Sequence, residues 1–287
     1  MRPPITPTNK AASSSRLIDA AAAAALIGPL TELVARAGAA ILAVNRQAMD
    51  VADKGDGSPV TEADLAADRL IAAGLAQLAP DLPVLSEERT HAAKPPFPGS
   101  FFLVDPLDGT KEFIAGRQEF TVNLALIVAG TPLVGIIGAP ALGLIWRGLV
   151  GRGAERLPVG EAGIGLPEPI RTRRMPGPGQ PWIAAVSRSH ADARSEAFIA
   201  GRPNAVRVQL GSAVKFGRLA EGTADIYPRL APTSEWDVAA GQALVTAAGG
   251  KVTDLSGATL RFGQRVDGFV VPGFVAWGDP AAAEPSL

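Results

Sequence analysis

An α/β protein, laid out as a layered α+β sandwich with alternating α and β layers and two intimately packed halves, is the fold this sequence predicts. Three observations carry the prediction. The first half sets helical periodicity ahead of a run of apolar or alternating strand segments. The second half alternates strands with helices, the pattern of an α/β layer. A chain of 287 residues with 47% apolar content is long enough for one large domain or two closely packed ones. The expected halves are an N-terminal α+β unit at 15–155 carrying the acidic motifs and a C-terminal α/β unit at 180–287 carrying the selectivity residues.

Composition removes several function classes. A formal net charge of −1 with 5% aromatic residues leaves no basic footprint for nucleic acid, so a small ligand is the expected partner. The chain has no cysteine, which excludes disulfides, zinc-thiolate centres and cysteine nucleophiles. Any metal must sit on oxygen atoms or on the two histidines, and hard cations lead.

Element by element, residues 1 to about 14 are rich in Pro, Ser and Thr and read as a loose tail. "LIDAAAAAALIGPL" has the look of a secretory apolar region, but Asp19 and a Gly-Pro break interrupt it and it flows into the amphipathic "TELVARAGAAILAV". A folded helix and no membrane span is the expectation. "DKGDGSPVTEADLAADRLIAAGLAQLAP" then gives a Gly-Ser-Pro loop and a helix with Leu65, Leu70, Ile71, Leu75 and Leu78 on one side. Thr61 and Asp64 fit a capping-box start, which places Asp64 in the first turn. A meander follows in "LPVLSEE", "FFLVDPL", "FTVNLALIVAG", "PLVGIIGAP" and "GLIWRGLV". The Gly-, Pro- and Arg-rich stretch 151–181 reads as a turn-laden connection, with "RTRR" as solvated surface. Strand "WIAAVS", helix "ADARSEAFIAG", strand "AVRVQL", helix "SAVKFGRLAEG", strand "ADIYPRL", helix "WDVAAGQALVTAAGG" and strand "KVTDL" complete the second half.

The chemistry concentrates in "FFLVDPLDGTKEF". The strand should end near Val104, Pro106 cannot continue a ladder, and Gly109 permits a tight backbone. Asp105 and Asp108 therefore project from a turn at a strand's C-terminal end, where α/β folds place ligands. Two carboxylates in one turn repel unless one is protonated or a divalent cation neutralises them, and oxygen-only ligation suits Mg²⁺ or Mn²⁺, with Mg²⁺ the better fit. Taken alone, the pair equally suits aspartates that cap a turn. Glu87 and Glu88 close the strand "LPVLS", and Asp237 opens the last long helix. Singly they are a solvated pair and a helix cap. With Asp64 they repeat one geometry, an acid at the edge of an element that points into a seam. Several carboxylates holding two or three metals form a kit for in-line phosphoryl transfer to water, which makes the substrate a phosphate ester.

"DPLDGT" followed by "KEF", with "SPVTEAD", "LSEE" and "WDVAAG", resembles the metal-dependent, lithium-sensitive phosphatase superfamily of inositol monophosphatases and bisphosphate nucleotidases. Within it, "DPLDGTKEFI", "VSRSH", "GSAVKF" and "YPRLAPTSEWD" are more similar to the 3′(2′),5′-bisphosphate nucleotidases, the CysQ group. A mild departure lies at Ala213 and Val214. The resemblance implies an inositol monophosphatase-like fold and two or three Mg²⁺ ions on Glu87, Asp105, Asp108, Asp237 and the backbone carbonyl of Leu107. It implies that Asp64 and Thr110 orient the attacking water and that Gly109 and Thr110 offer N–H groups to the phosphoryl oxygens. Lys54 matches a lysine near the metals, and Glu88 the second acid of its pair. Ser187, His190, Ser212, Lys215 and Arg229 match nucleotide contacts, the cations meeting the phosphate that is not cleaved.

The implied reaction removes the 3′-phosphate of adenosine 3′,5′-bisphosphate (PAP) to give AMP, a step of sulfur metabolism, with the sulfated nucleotide PAPS as a second substrate. Inositol monophosphatase or fructose-1,6-bisphosphatase activity is the alternative among enzymes. A non-catalytic phosphate-ligand sensor is the alternative of another class, against which the Thr110 and Asp64 pair argues. The implied location is the cytoplasm, with the periphery of the inner membrane as a second placement.

Overall fold

The four apolar residues at 101–104 are divided between two cores, and that division organises the molecule. In the computed structural model, which describes residues 17–46, 51–53, 59–92, 96–97, 99–189, 192–264 and 268–283, the chain opens with helix α1 (Ala20–Ala43). A small ribbon follows, β1 (Val51–Asp53) antiparallel to β2 (Pro59–Thr61), and leads into α2 (Glu62–Leu78). Asp19 caps α1 by accepting from the Ala22 N–H at 2.8 Å. The expected Gly-Pro break does not occur: α1 runs through Pro29 because Leu30, Leu33, Val34, Ala37 and Ile41 form one buried stripe across it. Helix α1 is long and apolar enough to cross a membrane by length and composition, and here that stripe packs on α2 and the large sheet.

Helix α2 buries Ala63, Asp64, Ala67, Asp68, Ile71, Gly74 and Leu75. Leu65, expected on the same side, is 42% exposed. Six positions before Ile71 turn the helix by about 240°, which carries Leu65 away from the core.

The large sheet is built from β3 (Val84–Ser86), β4 (Ser100–Asp108), β5 (Thr121–Val128), β6 (Thr131–Ala139), β7 (Leu144–Leu149), β8 (Gly153–Gly160), β9 (Gly163–Ile164) and β10 (Glu168–Ile170), with the short helix α3 (Thr110–Ile114) between β4 and β5. Its order is β10-β8-β7-β6-β5-β4-β3, with β9 paired to β8, and only β3 and β4 run parallel. The stretch expected as a connection thus contributes three strands. Ala154 and Leu157, three positions apart, bury into the two cores on opposite faces of β8, and antiparallel pairing needs only the tight glycine turns present there. Within "RTRR", Arg171 and Arg174 are exposed as expected, while the partly exposed Arg173 forks onto buried Asp225 at 2.6 Å on each arm.

The second sheet takes β11 (Ile183–Ser187), β12 (Val206–Leu210), β13 (Ile226–Arg229), β15 (Lys251–Thr253) and β17 (Phe274–Trp277), in the order β12-β11-β13-β17-β15. Between them come α4 (Ala193–Ala200), α5 (Val214–Ala220) and α6 (Glu235–Ala247), and a ribbon of β14 (Thr233–Ser234) with β16 (Val270–Val271). Strand β17, inserted antiparallel between β13 and β15, lies beyond the last strand that the sequence pattern had suggested.

A strand's side chains alternate between faces. Phe102 and Val104, with Leu124 and Leu126, pack under α1 and α2; Phe101 and Leu103, with Ala125 and Ile127, face α5 and α6. The same second core takes in Tyr227, Phe274 and Ala276 of the other sheet, whose far side packs Val186, Ile226 and Trp277 on Ile199 of α4. The layers therefore alternate α/β/α/β/α. Gly135 makes the middle packing possible, since a Cβ there would stand 2.1 Å from the Ala240 carbonyl oxygen on α6.

Candidate active site

The site begins where β4 departs from regular pairing. Asp105 stands opposite Asn123 and Asp108 opposite Thr121, so one extra residue is accommodated on β4 between them. The strand does not stop near Val104; it reaches Asp108 through this bulge, with Pro106 at the place where no ladder donor is needed. The Leu107 N–H donates to Asp105 Oδ1 at 3.1 Å, and the Leu107 carbonyl oxygen lies 3.2 Å from Thr110 Oγ1. Gly109 then adopts φ +89°, and a Cβ there would meet Ser212 Cβ at 3.2 Å and the Glu119 carbonyl oxygen at 3.3 Å. Only glycine suits that turn, and it delivers Thr110 as the first residue of α3.

Two helix starts supply further acids by one device. Asp64 and Asp237 are each the third residue of their helix and each close a capping box. Asp64 Oδ2 accepts from the Thr61 N–H at 2.8 Å and the Thr61 hydroxyl at 2.6 Å, while Thr110 Oγ1 donates to Oδ1 at 3.0 Å. Asp237 Oδ2 accepts from the Ser234 N–H at 3.2 Å and from the Thr233 hydroxyl. Glu87 follows β3, whose parallel register places Ser86 beside Val104 and so brings Glu87 to Asp105. Buried Asp68 braces that corner, with Oδ1 accepting from Ser86 Oγ at 2.6 Å and Arg89 Nε at 3.2 Å.

These elements enclose a cavity of about 550 Å³. Its wall includes Glu87, Asp105, Leu107, Asp108, Gly109, Thr110, Ser187, Ser212, Lys215, Arg229 and Asp237, all singled out from the sequence. Asp64 is buried behind Thr110 and is not part of the wall, and Glu88 is also off it. His190 and Lys54 lie outside the described residues.

The acids repel one another. Burial first, then Glu87, Asp108 and Asp237, hold the Asp105 carboxyl well above the usual carboxylate range. Burial and Asp237 push Asp108 up to about 6 against the opposing pull of Lys215 and Arg229. Buried, mutually repelling carboxylates beside a backbone carbonyl are a hard-oxygen donor set that suits Mg²⁺. Among the described residues no three acidic or histidine side chains converge as a complete ligand set for one ion.

Two cations share the cavity with these acids. Arg229 bonds to the phenol of Tyr227, the only tyrosine in the chain, while its buried Nε has no partner. Burial opposes the Arg229 charge, and Tyr227, Asp237 and Asp108 outweigh it, raising the guanidinium's pKa. Burial draws the Lys215 ammonium down to about 8, with Asp108 pulling the other way.

Sequence reasoning missed Thr233, Tyr227 and the β5 pair Thr121 and Asn123, whose Asn123 Nδ2 donates to Asp108 Oδ2 at 3.3 Å. Ser234 three places before Asp237 was a readable capping signal for the first. The β5 pair emerges only from the cross-strand register.

The profile described as the inositol monophosphatase family matches residues 23–284. The chain is 40% identical over 258 residues to the 3′(2′),5′-bisphosphate nucleotidase CysQ of Shigella flexneri, covering 87% of this chain and 98% of that one. It resembles the crystal structure of CysQ from Bacteroides thetaiotaomicron with a TM-score of 0.72 and 32% identity, over 88% of this chain and 97% of the other. An inositol monophosphatase from Zymomonas mobilis superposes with a TM-score of 0.69 and 26% identity, over 90% and 95%.

Proposed function

This chain belongs to the inositol monophosphatase family, and from that premise we propose that it is a magnesium-dependent 3′(2′),5′-bisphosphate nucleotidase that converts PAP to AMP and phosphate, and PAPS to adenosine 5′-phosphosulfate. The observation that carries the reading is the opposition of charge inside one cavity. Glu87, Asp105, Asp108 and Asp237 line it together with Arg229, whose guanidinium is held charged by Tyr227, Asp237 and Asp108. A substrate with two phosphates serves both kinds of group, one phosphate at the acids through cations and one at the guanidinium.

Glu87, Asp105, Asp108, Asp237 and the Leu107 carbonyl would hold two or three magnesium ions. Magnesium there would supply Lewis acidity, neutralising charge on the transferred phosphoryl group and lowering the pKa of water. Thr110 Oγ1 lies 3.0 Å from Asp64 Oδ1 and 3.2 Å from the Leu107 carbonyl oxygen; with its one proton directed to the nearer carboxylate, its lone pairs accept a hydrogen bond from the attacking water. Asp64 acts through Thr110, and its own orientation is set by the two Thr61 bonds on Oδ2. The left-handed Gly109 followed by helical Thr110 forms a concave pair of N–H groups suited to phosphoryl oxygens. Ser187 and Ser212 on the wall offer hydroxyls to the nucleotide.

A phosphate-release panel with magnesium tests the reading, using PAP, PAPS, adenosine 3′-monophosphate, inositol 1-phosphate and fructose 1,6-bisphosphate. PAP should be hydrolysed most efficiently. Faster turnover of either sugar phosphate would overturn the assignment, and tight nucleotide binding without turnover would make the protein a sensor.

A further inference from the structure

Helix α2 buries two carboxylates one turn apart, Asp64 and Asp68. Four positions along a helix return to the same face, so both leave α2 on one side. Asp64 meets Thr110 on the cavity wall. Asp68 lies off that wall, and its contacts bracket Glu87. Ser86 Oγ donates to its Oδ1 at 2.6 Å, and Arg89 Nε lies 3.2 Å from Oδ1 and 3.0 Å from Oδ2.

The backbone places both partners. Ser86 ends β3 and stands beside Val104 of β4, so its buried side chain turns to the α2 face of the sheet as Val104 does. Residues Glu87–Ala92 form a 3₁₀ segment in which Arg89 departs from helical geometry, with φ −132° and ψ 23°. At that kink the guanidinium folds back onto α2. Glu87 is thereby held through the residue before it and the residue two after it, both tied to one carboxylate on a long helix. A buried carboxylate is unfavourable without partners, so the burial of Asp68 and its grip on Ser86 and Arg89 depend on each other.

We propose that Asp68 is a positioning residue, which with Ser86 and Arg89 pins Glu87 beside Asp105 and so sets the affinity for magnesium, α2 being the common frame for this corner and for the Asp64–Thr110 pair. The assignment rests on the magnesium reading of the acid cluster and extends it to a residue off the cavity wall.

The test uses the full chain with Arg89→Met, Asp68→Asn, Asp68→Ala, Glu87→Gln and the Arg89→Met/Glu87→Gln double variant. Magnesium binding is followed by calorimetry without substrate and as the half-saturating concentration for PAP hydrolysis. Charge alone predicts opposite signs, since removing a cation favours magnesium and removing an anion disfavours it. A brace predicts loss in both. Arg89→Met and Asp68→Ala should each weaken magnesium binding about 10–100-fold, as loss of a group supporting a metal ligand does, with KM for PAP at saturating magnesium near wild type. Asp68→Asn, which can still accept from Ser86, should fall between. In the Glu87→Gln background Arg89→Met should cost little more, because the grip acts through Glu87. Unchanged or tighter magnesium binding in Arg89→Met would overturn the proposal, and so would a full further loss in the Glu87→Gln background. Wild type that binds no magnesium and keeps its activity in EDTA would refute the metal reading and the proposal with it. Should Asp68→Ala not fold, Asp68→Asn and Arg89→Met, the latter changing a side chain that is 42% exposed, are judged by the same measurements.

Discussion

Thr110 Oγ1 lies 3.0 Å from Asp64 Oδ1, although 46 residues separate them in sequence. The hydroxyl sits on the cavity wall and the carboxylate is buried behind it. An interaction that gains strength as the attacking water gives up its proton acts on the transition state. Thr110→Ala should therefore lower kcat much more than it raises KM, by about 10²–10⁴-fold in kcat. Steady-state kinetics on PAP checks this, and an effect confined to KM would make Thr110 a binding residue.

Metal dependence follows from the acid cluster. EDTA should abolish activity and magnesium restore it, with Asp108→Asn or Asp237→Asn losing several orders of magnitude in kcat while the circular dichroism spectrum is retained. Family membership adds inhibition by lithium. Full activity in EDTA would refute the metal reading.

Selectivity tests Arg229. A substrate without the 5′-phosphate leaves the guanidinium unpaired, and a charge-assisted hydrogen bond contributes about 1.5–3 kcal/mol. Adenosine 3′-monophosphate should be poorer than PAP by about one to two orders of magnitude in kcat/KM. Arg229→Ala should erase most of that preference, and an equal loss on both nucleotides would show that the arginine does not read the second phosphate.

Stability of the metal-free protein should depend on pH in a direction set by Asp108. Its folded pKa is raised from 3.8 to about 6 by burial and Asp237, so the folded state binds the proton more tightly than the unfolded chain. The contribution is fully present below about pH 4 and is lost as pH rises through about 6. In EDTA the difference in Tm between wild type and Asp108→Asn should shift in favour of the asparagine variant across that window. Magnesium should raise the wild-type Tm more at pH 7 than at pH 5. A flat difference would mean that Asp108 is ionised with its usual pKa in the fold.

Packing between the layers gives a prediction away from the chemistry. Gly135→Ala forces a methyl onto the Ala240 carbonyl oxygen of α6 and should destabilise the protein by about 1–3 kcal/mol, visible as a lower Tm. An unchanged Tm would show that α6 can move off the sheet freely.

Local chemistry made much of this legible. Thr61 and Asp64 announced a capping box because such a box closes within one helical turn, and it is present. The Asp-Pro-Leu-Asp-Gly run announced a departure from the ladder, because proline has no N–H and glycine tolerates positive φ; the strand nevertheless continues three residues beyond the acid at 105. Strands β8 to β10 were hidden by glycines and prolines that usually mark loops, and tertiary pairing with β7 overrode that local preference.

By itself the sequence determined which groups are available: hard oxygen donors without thiolates, acids at element edges, a glycine before a threonine, and cations in the second half. Only the tertiary structure decided what each faces. Strand register put Asn123 beside Asp108, and parallel pairing of β3 with β4 carried Glu87 to Asp105. Caps and turns are short-range and written in neighbouring residues. A carboxylate's partners across a sheet depend on closure of long loops and on burial, and these are properties of the packed layers as a whole.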